Sequence, residues 1–480
     1  MNWRIISLYV GISLLFVAAL MAISAVIACF SQGDDSRIPL LFSSFLTCSA
    51  GFFPIIFVRK GKERLSFREG NCIVVGVWIS ACIFGMFPFM LYGNEFSPIN
   101  ALFESVSGFT TTGASILNDV EALPKGLKFW RISTAWVGGI GIVTLFSMMI
   151  GSSDKSRLSG AEISRVAKEG FSGRLGSFTR RILIAYVSLT LITFFALKLT
   201  GLPWFDSITD AMSACSTCGF CIRNTSIAFY ANPAAEVVLT IAMITSGMNF
   251  GILFLAFIKG RPQHIWKSES LKTFLGAVLI AIGMVTVDLL INNHINSFGE
   301  ALRAAAFQVA SISTTTGFAT HDTTLWPHFS IAVLVICSLI CGCSGSTSGG
   351  IKIDRAILVA KGVHRKVILT VTPKMVRPVR VDGRIRSDEQ INDAFCFVFC
   401  YMFFIILFAA FNIAGGLDFT TGITASIACI GNVGPGFGDV GSLSNYADIP
   451  AVIKATSMIE MLIGRLEIFP MLYLLRSFGR

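Results

Sequence analysis

Blocks of about twenty apolar residues recur along this chain, near residues 5–30, 38–58, 72–93, 128–150, 181–199, 235–258, 273–292, 328–360, 394–414 and 450–475. A helix of about 20 residues rises about 30 Å, the thickness of a bilayer's hydrocarbon core. The 480 residues are 54% hydrophobic and only 14% charged, with 42 Phe. No soluble fold of that length could solvate so apolar a surface. The short alternating segments of a membrane β-barrel are not seen. The expected fold is an all-α polytopic membrane protein with ten candidate spans. The apolar run behind Arg4 exceeds an ordinary signal-peptide core, which favours a retained first helix over a lipoprotein-like cleavage before Cys29.

Lys and Arg set the expected orientation. The connections at 59–71, 151–181, 259–272 and 352–386 hold 5, 7, 4 and 10 of them; with Arg4, Arg476 and Arg480 that places 29 of the 38 on one side. Both termini are therefore expected to be cytoplasmic. The net charge of +10 belongs mostly to these inner loops, so a nucleic-acid partner is not needed to explain it. The outer side carries Asp34, Asp35, Glu95, Asp119, Glu121, Asp322, Asp439 and Asp448, a weak and screened attraction for cations.

Between the spans lie four segments too short and too apolar for ordinary loops: FESVSGFTTTG (103–113), FDSITDAMSACSTCG (205–219), FGEALRAAAFQVASISTTTG (298–317) and LDFTTGITASIACIGNVG (417–434). Their closing glycines, Gly113, Gly219, Gly317 and Gly434, are 106, 98 and 117 residues apart. Such periodicity marks a repeated architectural unit. The unit reads as span, half-length re-entrant helix, extended turn, span. Four units fit 66–155, 156–262, 263–365 and 366–480, with 1–65 as an N-terminal two-helix addition.

Irregular backbone at membrane depth survives only where protein or a water-filled path satisfies it. Extended backbone with carbonyls aimed at an axis can replace a cation's hydration shell. Glycine permits the φ values and close approach this needs. Threonine adds a hydroxyl acceptor, and the preceding half-helix aims the negative end of its dipole at the ion. Polar turns that merely cap re-entrant helices would leave the fourfold repetition unexplained.

Two further features lie at membrane depth. The block at 328–360 is interrupted by CGCSGSTSGG (341–350), whose four glycines and four hydroxyls cannot form a stable helix in lipid. The break comes about 20 Å in from the outer surface; breaks at such depth mark substrate paths, although a kink needed only for packing is the alternative. Arg465 sits inside the last block, where a charge is expensive and by default functional, unless it only pairs with Glu460 or Glu467. The spacing Cys215-x-x-Cys218-x-x-Cys221 suits iron–sulfur ligation but lacks a fourth ligand nearby, and the five His form no zinc motif. No phosphate-binding loop or nucleophile motif appears, so an enzyme is not expected.

Over essentially its whole length the sequence resembles the TrkH-type membrane subunit of the Trk/Ktr/HKT superfamily of potassium transporters. The resemblance rests on Thr110-Thr111-Thr112-Gly113, Ser216-Thr217-Cys218-Gly219, Ser313-Thr314-Thr315-Thr316-Gly317 and Gly431-Asn432-Val433-Gly434-Pro435-Gly436. It implies a potassium pore with a filter built from Thr111, Thr112, Gly113, Thr217, Cys218, Gly219, Thr315, Thr316, Gly317, Asn432, Val433 and Gly434. By the same resemblance, a glycine rather than a serine at 113 implies potassium over sodium. The resemblance further implies that the loop holding Gly342, Gly345, Gly349 and Gly350 gates the pore, with Arg465 projecting under the filter. It also implies a homodimer in a bacterial inner membrane, docked on a cytoplasmic TrkA-type regulatory ring that binds NAD or ATP. The alternative is a proton- or sodium-coupled secondary transporter, for which Asp288 and Glu460 are the candidate acids.

Overall fold

On the helix Arg37–Phe57 the buried residues are Leu40, Ser43, Thr47 and Gly51, whereas Phe45, Phe53, Ile56 and Phe57 are exposed. Small residues inward and large apolar ones outward is the order a lipid-facing helix takes, because lipid contacts Phe as well as a protein core does. The computed structural model describes residues 2–58, 67–141, 175–468 and 471. The first helix, Trp3–Phe30, meets Arg37–Phe57 through Gly11 and Gly51. A methyl group on either glycine would fall 2.7 or 2.8 Å from the other's carbonyl oxygen.

Among the described residues six helices are long and apolar enough to cross a membrane: Trp3–Phe30, Arg37–Phe57, Arg68–Tyr92, Arg180–Leu199, Glu269–Ile291 and Asp388–Ala414. The other expected spans depart from simple rods. The block at 235–258 is two helices, Pro233–Ser246 and Phe250–Ile258, bent by 106°. Asn249 causes the break: its side chain accepts from the amides of Gly251 and Ile252 and starts a new helix there. The block at 328–360 is divided as expected, into His328–Leu339 and Ile353–Val371. The block at 128–150 is helical over Lys125–Ile140 and the block at 450–475 over Ala451–Leu466. Their remainders lie largely outside the described residues, as do the unit boundaries at 65/66 and 155/156, Arg476, Arg480 and most of the basic connections 59–71 and 151–181.

Each of the four glycine segments is preceded by a short buried helix: Pro98–Phe109, Trp204–Ser216, Phe298–Ser313 and Phe419–Gly431. The first starts five residues before its aromatic–acid signature, because Ser97 caps the amide of Asn100 and Pro98 is preset for a first turn. Asp418 caps the fourth through the amides of Thr420 and Thr421. After each glycine the chain bonds the neighbouring unit. The side chain of Asn224 accepts from the Val120 amide (2.7 Å), and the Ala228 amide donates to the Ala319 carbonyl (3.2 Å). Likewise Ser442 Oγ donates to the His321 carbonyl (3.2 Å), and the Tyr446 amide to the Ser115 carbonyl (2.7 Å). First to second, second to third, third to fourth and fourth to first, the circle closes.

A buried ion pair locks the first junction. Arg131 bonds Glu104, donates to the Cys221 carbonyl (2.8 Å) and stacks 3.5 Å from the Phe220 ring centroid. Glu104 in turn accepts from the Ile116 amide (3.1 Å). Both charges are buried but satisfied by several partners, the condition under which such a pair is tolerated.

Candidate functional site

The four short helices end in one and the same way. The amides of Thr111, Thr217, Thr315 and Asn432 donate three residues back, to Gly108, Ala214, Ile312 and Cys429. The next amides, of Thr112, Cys218, Thr316 and Val433, donate five residues back, to Ser107, Ser213, Ser311 and Ala428. These are Schellman ends, which need a left-handed residue at the turn. Thr111, Thr217, Thr315 and Asn432 supply it, with φ of 54°, 54°, 58° and 52°. Glycine or asparagine is the usual occupant; a β-branched residue there costs about 1–2 kcal/mol, and three units bearing that strain, with Asn432 in the same conformation in the fourth, point to a shape imposed by use.

Two residues later φ turns positive again, at Gly113 (83°), Gly219 (75°), Gly317 (83°) and Gly434 (94°). A Cβ on Gly113 would lie 1.8 Å from the Cys218 carbonyl oxygen, and one on Gly219 would lie 2.0 Å from that of Thr316. On Gly317 it would lie 2.4 Å from Val433, and on Gly434 2.4 Å from Thr112. Each glycine thus leaves room for the carbonyl of the next unit, and the series returns to its start. The result is a closed ring of four carbonyls, from Thr112, Cys218, Thr316 and Val433. All four residues are fully buried, and no donor among the described residues reaches any of the four oxygens. A buried carbonyl without a donor is uncommon; four in one ring form an oxygen cage of the kind that binds a desolvated cation.

All twelve residues expected at the filter meet in this ring, but the threonine hydroxyls do different work from that expected. Those of Thr112 and Thr316 turn back to Thr110 (2.8 Å) and Thr314 (2.7 Å), bracing the segment against its own helix. Asn432 braces two units at once, donating to Thr112 Oγ1 (3.0 Å) and to the Met461 carbonyl (3.0 Å).

The glycine-rich break lies against the helix side of the ring. Its ends pair as a minimal parallel ladder, Ile340 with Ile351 and Cys341 with Lys352. Between them the Cys343 amide donates to the Gly247 carbonyl (2.8 Å), at the bend of the second unit. Asn249 Nδ2 donates to the Ser344 carbonyl (2.6 Å), and the Thr347 hydroxyl to the Cys215 carbonyl (3.1 Å). Gly342 and Gly349 allow close backbone contact: a Cβ would come within 2.6 Å of Gly247 O or 2.1 Å of Gly431 O. Thr315 Oγ1 accepts from the Gly349 amide at 2.8 Å, so a ring residue holds the loop directly. Thr315→Val should leave that buried amide without an acceptor, at about 1–3 kcal/mol. Hydrogen exchange across 342–350 is then expected to quicken by about 5–150-fold, with little change elsewhere.

Arg465 faces the same place. Its guanidinium donates to the carbonyls of Thr347 (2.9 Å), Gly138 (2.5 Å) and Gly139 (3.0 Å), 6.0 Å from the Trp78 ring. It thus joins the loop to the second helix of the first unit. Neither carboxylate proposed from sequence accounts for these bonds: Glu467 pairs with Arg355 at 2.8 Å, and Glu460 is buried elsewhere. Arg465, Lys352, Thr347 and Gly349 line a cavity of about 140 Å³. Lys352, which sequence reasoning passed over as one more loop cation, bonds the Ser348 carbonyl within it.

The remaining sequence candidates separate. Asp288 accepts from the amide (3.0 Å) and hydroxyl (2.6 Å) of Ser330, so it anchors a helix start. Cys215 and Cys221 turn to different partners, Thr193 and Asp210, and among the described residues no group of three or more metal-ligating side chains could hold a metal. In the segment that follows Gly113, the carboxyl of Asp119 is held below its ordinary value chiefly by the Asn224 amide, so it keeps its negative charge.

The family model described as "TrkH: Cation transport protein" matches residues 42–478. The chain belongs to the TrkH family. It is 30% identical over 485 residues to the Trk system potassium uptake protein TrkH of Vibrio parahaemolyticus, covering 99% of each chain. With the protein of the same name from Escherichia coli K12 it shares 30% over 480 residues, covering 99% of this chain and 98% of the relative. The crystal structure of the potassium transporter TrkH from Vibrio parahaemolyticus superposes with a TM-score of 0.91 at 29% identity, over the full length of both chains. That match over the full length agrees with the mainly helical, multi-span fold described above.

Proposed function

We propose that this chain is the potassium-translocating pore subunit of a Trk-type uptake system in a bacterial inner membrane. The observation that carries the reading is the ring of four buried carbonyls without donors, closed unit by unit through Gly113, Gly219, Gly317 and Gly434. The names of its relatives, potassium uptake proteins, support potassium as the cation. A dehydrated cation would exchange its water for the carbonyls of Thr112, Cys218, Thr316 and Val433, with those of Thr111, Thr217, Thr315 and Asn432 one step further in. The loop around Gly342, Gly345, Gly349 and Gly350 would then be the gate, pinned closed by Arg465. Of the ten basic residues in 352–386, the exposed Lys366, Lys374, Arg377, Arg380 and Arg384 would give the inner face a surface for a TrkA-type regulatory ring binding NAD or ATP, on a homodimer with both termini cytoplasmic.

Coupled transport finds less support, since Asp288 is committed to Ser330 and Glu460 is packed behind the fourth ring segment. The test is rubidium uptake into liposomes with and without an imposed proton gradient, under competing sodium. Uptake that ignores the gradient and resists sodium is expected. Loss of uptake without the gradient would replace the gated channel by a symporter.

A further inference from the structure

One buried acid is left without a role by the ring and the gate. Glu460, midway along Ala451–Leu466, has no exposed surface, and neither of its carboxylate oxygens has a hydrogen-bond partner among the described residues. It faces Asn412 and Ser426, each of which gives a hydrogen bond to a backbone carbonyl instead. Asn412 Nδ2 donates to the Gly422 carbonyl (3.3 Å), and Ser426 Oγ to that of Ile405 (3.1 Å). Asn412 Oδ1 and Ser457 Oγ, meanwhile, are buried with no partner of their own.

A carboxylate in such a place would be buried with neither a cation nor a hydrogen bond to hold its charge, at a cost of several kcal/mol. A carboxylic acid brings one O–H, and Asn412 Oδ1 is an acceptor lacking a donor. Among the described residues no ion pair to Glu460 holds the charged form instead. On the same helix Lys454 is committed to Asn100 and the Ala447 carbonyl, and Arg465 to the carbonyls of Thr347, Gly138 and Gly139. The fourth short helix contributes only Cys429, and the outer segment Tyr446. In Asp388–Ala414 every titratable side chain lies eleven or more residues before Asn412. In the first short helix, Glu104 is bonded to Arg131.

The neighbours of Glu460 reach the ring by two short routes. Cys429 contacts the Tyr446 hydroxyl (3.9 Å), which donates to the carbonyl of Gly434 (3.2 Å). The Met461 carbonyl, one residue along from Glu460, accepts from Asn432 (3.0 Å). We infer that Glu460 is a proton-binding site, neutral when the fourth ring segment has the geometry described here, and that its ionisation distorts that segment. The balance is simple: the carboxylic acid loses one proton to water, and the O–H bond to Asn412 is lost with it. The favoured geometry is therefore present at low and neutral pH and is lost as pH rises through the titration of Glu460.

The experiment is rubidium flux through the full chain in liposomes at equal pH on both sides, stepped from neutral to about pH 10, past the range documented for buried glutamates. Flux should fall towards a limit of about tenfold per pH unit above the titration point. Glu460→Gln, which keeps an N–H for Asn412 and cannot ionise, should conduct at neutral pH and show no such fall. An equal fall in Glu460→Gln would overturn the proposal, as would a wild type whose flux is flat to pH 10. Infrared difference spectra across the same titration give a second readout that needs no flux. A protonated-carboxyl band should disappear in the wild type, and its persistence in Glu460→Gln would assign it to another acid and overturn the proposal. A wild type that carries no rubidium at any pH would count against the pore reading, while this spectral test would still decide the state of Glu460.

Discussion

Gly113→Ala is expected to reduce cation flux by well over tenfold while leaving the protein folded and in the membrane. The left-handed φ of 83° alone costs alanine about 1–2 kcal/mol. The larger effect is geometric, since the new methyl would sit 1.8 Å from the Cys218 carbonyl oxygen. That atom is backbone and cannot swing aside like a long side chain, so the ring itself must open. Each 1.4 kcal/mol lost from cation stabilisation is a tenfold change in occupancy. Gly113→Ala and Gly219→Ala should therefore also discriminate less between potassium and sodium, because an opened cage no longer replaces the ion's hydration shell and lets cations pass with water still bound. Rubidium flux under competing sodium measures both effects. A Gly113→Ala protein with normal flux and selectivity would mean that ions do not pass the ring.

Removal of the Arg465 side chain should act in the opposite direction. Two positive charges about 8 Å apart at an effective dielectric of about 20 repel by roughly 2 kcal/mol, or about thirtyfold in occupancy. Arg465→Ala removes that repulsion and also frees the Thr347 carbonyl, one anchor of the loop. Flux without any regulatory partner should rise by about tenfold or more. Arg465→Lys separates the two contributions. It keeps the charge but cannot bridge three carbonyls with one planar fork, so a rise in Arg465→Lys as large as in Arg465→Ala would assign the effect to the loop anchor. Unchanged flux in both variants would leave Arg465 a structural bond between units.

Much of this site is legible in the sequence because its defining requirement is for glycine. Only glycine leaves the space that Gly113, Gly219, Gly317 and Gly434 give to a neighbouring carbonyl, and four such residues at similar spacing outside the apolar blocks stand out. The interrupted block at 341–350 is legible for the same reason. What precedes each glycine is not. A left-handed threonine contradicts the residue's own preference, and only the ring's closure accounts for Thr111, Thr217 and Thr315. The bend at Gly247–Asn249 is hidden within an apolar run, where one asparagine reads as a lone polar residue until its capping bonds are seen. Arg465 is harder to read. Sequence pairs charge with charge, so Glu460 and Glu467 come to mind, whereas three of its bonds go to backbone carbonyls that every residue carries.

The circle of hydrogen bonds between units has an evolutionary consequence. In a ring made from four identical chains, any substitution is copied four times, so its energy counts fourfold and intermediate doses do not exist. Here each wall is encoded once: Thr112, Cys218, Thr316 and Val433 already differ. A single codon change alters one quarter of the cage, and a shift of a few tenths of a kcal/mol can be tried, kept or offset on another wall. Cys218 and Val433 sit beside two threonines as the visible record of that freedom.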